Sequence, residues 1–238
     1  MIISKELLVR TAGIFGVEIT DGATDKFDRY AAMLLEWNQK FNLTAITNPD
    51  AIVVRHFADS LTFFAAAEPA EGASLIDVGS GAGFPALPIA IVRGDMQVTA
   101  LDSTGKRVNF LSAVADELAL TVSAVHMRAE DAAARPDMRE QYDFATARAV
   151  ANMRELSEYC LGFVKVGGSF VALKGPSLPE EQDGAKKAIG TMGGLLDKTS
   201  DFALPDGSRR CIAVVNKRSQ TPTAYPRKSA KIAKFPLV

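Results

Sequence analysis

LIDVGSGAGFPALPIAI, residues 75–91, reads as an apolar strand, a glycine turn and an apolar helix, FPALPIAIV (84–92). Asp77, Gly79, Gly81 and Gly83 alternate through the turn. Glycine permits positive φ there and lets backbone approach a ligand closely. The helix start offers N–H groups without helical partners and the positive end of a dipole, which suits a carboxylate or phosphate.

The strand–helix alternation continues outward. MQVTALD (96–102) is a second strand, followed by the helix TGKRVNFLSAVADELA (104–119). LTVSAVH (120–126) is a third strand and YDFATAR (142–148) a fourth, with a helix around MRELSEYCLGFV (153–164). GGSFVALKG (167–175) is a fifth. Such alternation implies parallel strands with covering helices. Two further strands near LDKTSDFAL (196–204) and RRCIAVVNKR (209–218) lie close enough for an antiparallel edge hairpin. The fold expected is α/β: a Rossmann-like, seven-stranded, mostly parallel sheet.

Residues 4–67 read as helical. Phe27, Tyr30, Ala31, Leu34, Leu35, Trp37 and Phe41 recur at three- and four-residue steps, giving one buried face. Asn48, Pro49 and Asp50 break the chain and start AIVVRHFADSLTFFAAA. The organisation expected is a helical extension (1–72), a core (73–220) and a basic tail (221–238).

The chain has 238 residues, 47% hydrophobic and 23% charged, enough to bury a core. No apolar run approaches the roughly 18 residues of a membrane span, and the first residues lack a signal-peptide pattern. Cys160 and Cys211 form no CxxC and have no nearby histidine cluster, so neither a disulfide framework nor a metal site is expected, and the cytoplasm fits. Net charge is −1, but residues 209–238 hold eight Lys or Arg and no acid, leaving −9 for the rest. So polarised a chain can offer phosphates a local basic surface, although a frayed, solvated tail would look the same.

A glycine turn alone does not name a ligand. Gly81, Gly83 and Ala86 satisfy the dinucleotide spacing G-x-G-x-x-G/A. Against it stand the D-x-G-x-G-x-G pattern typical of methyltransferases and two prolines, Pro85 and Pro88, in the first helical turns. No Gly-Lys-Ser/Thr closes the turn, so it is not a phosphate-binding Walker loop. Asp102 ends the second strand, 19 residues after Gly83, where an acid can accept hydrogen bonds from ribose hydroxyls. Asp102, Ser103 and Thr104 can equally cap the next helix. Arg128, Ala129, Glu130 and Asp131 follow the third strand, the adenine side of such a site.

Read together, WNQKFNLTAI (37–46), RHFADSL (55–61), the glycine stretch, LDSTGKRVNFL (101–111), RAED (128–131), ATARAVA (145–151), ALKG (172–175) and RRCIAVVNK (209–217) resemble the bacterial 16S rRNA (guanine-N7)-methyltransferase G family, also called glucose-inhibited division protein B. The resemblance implies S-adenosylmethionine as cofactor. It implies methylation of one guanine, number 527 in the usual bacterial numbering, in 16S rRNA of the small ribosomal subunit or its precursor. It places Gly79, Phe84, Ala129, Glu130 and Arg148 against the cofactor, with Asp102 on the ribose. Asp77, Ser80, Gly81, Gly83 and Ser103 complete the expected cofactor set. Ala86 stands where the family often has glycine, and the basic extension is shortened or absent in some relatives.

Arg148 and Lys174 end apolar strands at the ligand-binding edge and are the expected reacting-end residues. Lys106, Arg128, Arg209, Arg210, Arg227 and Lys228 are the expected RNA contacts. Guanine N7 carries a lone pair and no proton, so its methylation needs positioning and electrostatics but no general base. The segment after the fourth strand reads TARAVA, with no NPPY-like tetrad, and neither cysteine stands in a Pro-Cys or Thr-Cys context. His56, Asp59 and Ser60 share one helix turn, a polar cluster and not a catalytic line. A monomer without metal is expected. A dinucleotide-dependent oxidoreductase and a non-catalytic RNA-binding module are the alternatives.

Overall fold

Parallel strands need crossovers, and here helices supply them, as the alternation requires. The computed structural model describes residues 1–148 and 151–237. Ala149 and Val150, within ATARAVA, and Val238, at the end of the basic tail, lie outside the described residues.

The chain begins with helices α1 (Lys5–Gly13) and α2 (Asp21–Phe41). A composite helix follows: α3 (Pro49–Ile52), a π-helical segment (Val53–Ala58), α4 (Asp59–Leu61) and a 3-10 turn (Thr62–Ala65). Asn48 caps it as expected, its side chain accepting from the Ala51 N–H. The strands are β1 (Ser74–Val78), β2 (Gln97–Asp102), β3 (Val122–His126), β4 (Tyr142–Arg148), β5 (Val164–Lys174), β6 (Gly194–Ala203) and β7 (Arg209–Lys217). Between them lie α5 (Ala86–Val92), α6 (Gly105–Glu117), α7 (Ala129–Ala132), α8 (Met153–Cys160) and α9 (Leu178–Thr191), with α10 (Ser229–Lys234) last.

The sheet order is β3-β2-β1-β4-β5-β7-β6. The first five strands pair in parallel, and β7 runs antiparallel to both β5 and β6. The seven-stranded, mostly parallel sheet and its edge hairpin are therefore as the sequence implies. The strand order reverses at β1, whose neighbours are β2 and β4, the place where open α/β sheets bind ligands.

One apolar cluster joins α1, α2 and the composite helix to one face of the sheet, through Phe27, Tyr30, Phe57, Leu87 and Phe110. A second, with Leu156, Phe163, Phe170 and Ile189, fills the other face under α8 and α9. Phe41 departs from the expected buried stripe. It sits at the last turn of α2, exposed beside Lys106. Helix α9 was not anticipated: two glycines and only four buried side chains blur its periodicity.

Candidate functional site

The glycine turn leaves β1 with Gly79, Gly81 and Gly83 all at positive φ (77°, 60° and 98°). At Gly83 a Cβ would also meet Leu87 Cδ1 at 2.4 Å and the Tyr30 hydroxyl at 2.7 Å. Tyr30 in turn donates to the Ala82 carbonyl. Helix α2 thus clamps the turn from behind.

The turn's amides are largely consumed by the fold. Gly79 and Ser80 donate to the Leu101 carbonyl (2.8 and 3.0 Å), Gly83 and Phe84 to that of Ser80 (2.8 and 3.1 Å). The Ala86 N–H, at the start of α5, goes to Asp77 Oδ2 (3.2 Å). The helix start is therefore not the open anion site the sequence suggests. What remains for a ligand is the outer edge of Gly79–Ala82.

Asp77 is fully buried, and its Oδ1 has no partner among the described residues. Its place is under the turn, so the expected ligand contact becomes a support for the loop. Burial above all pushes its carboxyl up to about 7, against the pull of the Ser80 and Ala86 hydrogen bonds and of Arg148. Between about pH 4 and 7 the folded chain then holds a proton that the unfolded chain has lost, so stability falls as pH rises through that window and levels off above it. Asp77→Asn is expected to flatten this slope by about 2–3 kcal/mol between pH 5 and 8. Urea unfolding at the two pH values checks it, and equal slopes for both proteins would show that Asp77 is ionised in the fold.

Three clefts adjoin one another along the C-terminal ends of the strands. The first, of about 210 Å³, is lined by Val78, Gly79, Asp102, Ser103, Met127, Arg128, Ala129, Glu130, Tyr159 and Ser229, among others. The second, of about 390 Å³, shares Gly79, Asp102 and Ser103 with it, and adds the turn, Thr44, His56, Phe84, Arg107 and Arg148. The third, of about 350 Å³, shares His56 and Arg148 with the second and adds Arg55, Asp59, Lys174 and Arg210.

Asp102 stands between the first two clefts, nearly buried. Its Oδ2 accepts from Gly81 N (2.9 Å) and its Oδ1 from Thr104 N (2.8 Å). It braces the turn and the approach to α6 but does not cap that helix, whose N-cap Thr104 makes no side-chain cap hydrogen bond. Oδ2 also takes an Arg107 terminal nitrogen at 3.5 Å, whereas Oδ1 keeps a second lone pair, so the ribose role remains compatible.

Arg148 stands between the second and third clefts. It donates to Asp59 Oδ2 (2.9 Å), the Arg55 carbonyl (3.1 Å) and His56 Nδ1 (3.3 Å), and its guanidinium lies 5.0 Å over the Phe84 ring. Phe84 stacks on His56 at 4.3 Å and on Tyr30 at 5.4 Å. Burial, followed by the Arg148 charge, holds His56 down at about 3, so it is neutral in use. Asp59 also takes Arg210 Nε (2.8 Å). The RHFADS segment is thus a buried ionic brace, which the sequence showed only as a polar cluster. The π-helical segment carries His56 onto Arg148.

Several expectations change. Lys174 gives its ammonium to Glu181 (2.9 Å) and to the Ala151 carbonyl (2.8 Å), tying α9 to the start of α8. It lines the third cleft but acts as a strut, not as a free reacting group. The basic block does not form one surface. Arg210 gives its Nε to Asp59 and one terminal nitrogen to the Arg209 carbonyl, and Lys217 is buried against Glu140, Leu161 and Thr221. Arg227 grips the buried Glu158 through Nε (2.8 Å) and a terminal nitrogen (2.7 Å), and Lys228 pairs with Asp131. Arg227 is therefore not available to phosphate, and the tail is docked, not frayed. It also closes the first cleft, where the Ser229 N–H donates to Glu130 (3.2 Å). Arg128 lies at the rim of that same cleft, Lys106 lies near Phe41, and Arg209 is exposed at the start of β7.

Sequence reading missed Thr44, Arg55, Arg107, Tyr159 and Ser229. The NLT turn after α2 held the only local signal: Asn42 takes the left-handed conformation that ends the helix, and Asn38 Oδ1 holds the Thr44 N–H (2.9 Å). The others arrive through tertiary packing.

Comparison with known proteins agrees with this geometry. The family model described as rRNA small subunit methyltransferase G matches residues 23–205. The chain is 46% identical over 234 residues to Ribosomal RNA small subunit methyltransferase G of Clostridium perfringens strain SM101, covering 98% of each. To that of Acetivibrio thermocellus it is 47% identical over 235 residues, covering 98% of this chain and 96% of the other. Among solved structures, TrmN from Thermus thermophilus matches with a TM-score of 0.53 over 69% of this chain and 53% of its own, at 19% identity. TYW2 from M. jannaschii, solved in complex with AdoMet, matches with a TM-score of 0.51 over 63% and 70%, at 14% identity, and shares the fold. By the length and identity of these matches, the chain belongs to the rRNA small subunit methyltransferase G family.

Proposed function

We propose that the protein transfers a methyl group from S-adenosylmethionine to N7 of one guanine in 16S ribosomal RNA, within the small subunit or its precursor. The observation that carries this reading is the row of three adjoining clefts with Arg148 and His56 shared by the second and third. The first two fit the cofactor. Ala129, Glu130 and Tyr159 would flank adenine, Asp102 and Ser103 the ribose, and the outer edge of Gly79–Ala82 the methionine end. The third would admit the guanine and its phosphates beside Arg55, Arg148 and Arg210.

When bound, the cofactor supplies an electrophilic methyl group on a sulfonium. The residues around it need only position. The carbon–nitrogen bond forms as the carbon–sulfur bond breaks, and no proton leaves guanine, whose ring becomes cationic. The clefts agree. His56 is neutral but its Nδ1 faces Arg148, and Asp59 is held by two arginines. Burial raises the thiols, Cys160 strongly and Cys211 to about 11, so neither offers a thiolate. None of these groups stands ready to take a proton from an exocyclic amine or to attack a ring carbon.

The test is methyl transfer to undermodified small subunits, followed by borohydride reduction and aniline cleavage, which break RNA at N7-methylguanosine. One break at one guanine is expected, with a single-turnover rate that is flat between about pH 6 and 9. Labelled RNA without a break would sink N7 chemistry, and many breaks would sink single-site specificity.

A further inference from the structure

We propose that Thr44 is a cofactor-binding residue whose hydroxyl donates a hydrogen bond to the methionine carboxylate of S-adenosylmethionine, its orientation set by a hydrogen-bond chain through Asp59, Arg148 and His56. This rests on the cofactor reading above.

The polarity of the chain follows from what each group can do. A guanidinium donates and never accepts. Arg148 spends one donor on Asp59 Oδ2 (2.9 Å) and faces His56 Nδ1 with another (3.3 Å). Nδ1 must therefore accept. Neutral imidazole has one N–H, so that proton sits on Nε2. Nε2 lies 2.8 Å from Thr44 Oγ1 and donates to it. The Ile46 N–H donates to the same oxygen at 3.0 Å. Both acceptor positions of the hydroxyl are then filled, and its own proton is left for another acceptor.

The surroundings hold this arrangement in place. The His56 ring is stacked on Phe84 (15° between planes), and a flip within that plane would set ring carbons against Arg148 and Thr44 and lose both hydrogen bonds. Asn38 Oδ1 fixes the Thr44 backbone at 2.9 Å. Arg148 faces the ring directly. Asp59 and Arg210 lie behind Arg148, and the Arg55 carbonyl takes a further Arg148 donor. Three guanidiniums, Arg148, Arg210 and Arg107, face two carboxylates, Asp59 and Asp102, so one net positive charge remains to favour an anion in the cleft.

Thr44 lines the second cleft together with the glycine turn, but it is not part of the third. Its proton is thus offered on the side where the cofactor's methionine end would lie, not on the side that would admit guanine. A single O–H donor beside guanidinium groups matches a carboxylate oxygen.

The test compares two ligands by calorimetry: S-adenosylhomocysteine, and 5′-methylthioadenosine, which keeps adenosine and the thioether but lacks the carboxylate. Thr44→Val is expected to weaken S-adenosylhomocysteine about 10- to 100-fold and to leave methylthioadenosine unchanged. Thr44→Ser should restore the first affinity. Nitrogen NMR should find His56 in the Nε2–H form. Equal weakening of both ligands would mean that Thr44 only shapes the cleft, and no weakening of either would remove it from the cofactor; each outcome overturns the proposal. If the unmodified protein bound neither ligand, the cofactor reading itself would fall, a result distinct from both.

Discussion

Replacing Arg227 with alanine is expected to destabilise the protein by about 3–5 kcal/mol, the cost of leaving a buried partner unpaired. Glu158 is only 1% exposed, on α8, and Arg227 supplies it with a backbone N–H (2.7 Å) as well as two side-chain donors. The same guanidinium holds the Phe235 carbonyl at 3.0 Å, which closes the tail around α10. The alanine variant keeps the backbone N–H, but the carboxylate stays without its counter-charge where water does not reach. Because Ser229 closes the first cleft through Glu130, affinity for S-adenosylhomocysteine should fall as well. Urea unfolding and calorimetry read the two effects. Glu158→Leu added to the same chain should return most of the stability, since it removes the stranded charge. RNA binding supplies the contrary test. If Arg227 contacted phosphate, its loss would reduce the salt slope by about one. An unchanged slope with lowered stability is expected, and the reverse pattern would return Arg227 to the RNA.

Arg148→Ala should lower the single-turnover methyl-transfer rate about 100-fold, the effect of losing a contact that holds the reacting geometry where catalysis rests on orientation. The loss is expected in the rate more than in the melting temperature, because Asp59 keeps Arg210 (2.8 Å) and is not left alone. Arg148→Lys should recover little. An ammonium cannot reach Asp59, the Arg55 carbonyl and His56 Nδ1 in one plane, nor lie flat over Phe84. A variant that methylates at the normal rate but melts early would reduce Arg148 to a brace for the RHFADS segment.

These two arginines separate what local pattern can reveal from what it cannot. Arg148 was legible because it ends an apolar strand, and strand ends in an alternating α/β chain converge on one edge. Arg227 looked like part of a basic tail, because Glu158 lies 69 residues away and nothing in either segment announces the pair. Lys217 misled in the same way, its charge reading as surface while its ammonium sits buried among Glu140, Leu161 and Thr221. A count of charges records composition. Whether a charge meets solvent, phosphate or a carboxylate is set by long-range packing, which composition does not encode.

By itself the sequence determined the strand–helix alternation, the glycine turn, the acid at the end of β2 and hence the sheet and the edge where ligands bind. These are short-range matters: periodicity, positive φ and capping act within a few residues. Tertiary structure alone decided which amides of the turn were left free, that Asp77 supports the turn from below, that Lys174 is a strut, and that the tail walls the first cleft. It also brought Thr44, His56, Asp59 and Arg148 into one chain from the turn after α2, the composite helix and β4. The reason is physical. A hydrogen bond inside a fold is made between whichever groups packing brings within about 3 Å, and packing depends on the whole core, not on the residues beside each group in the chain.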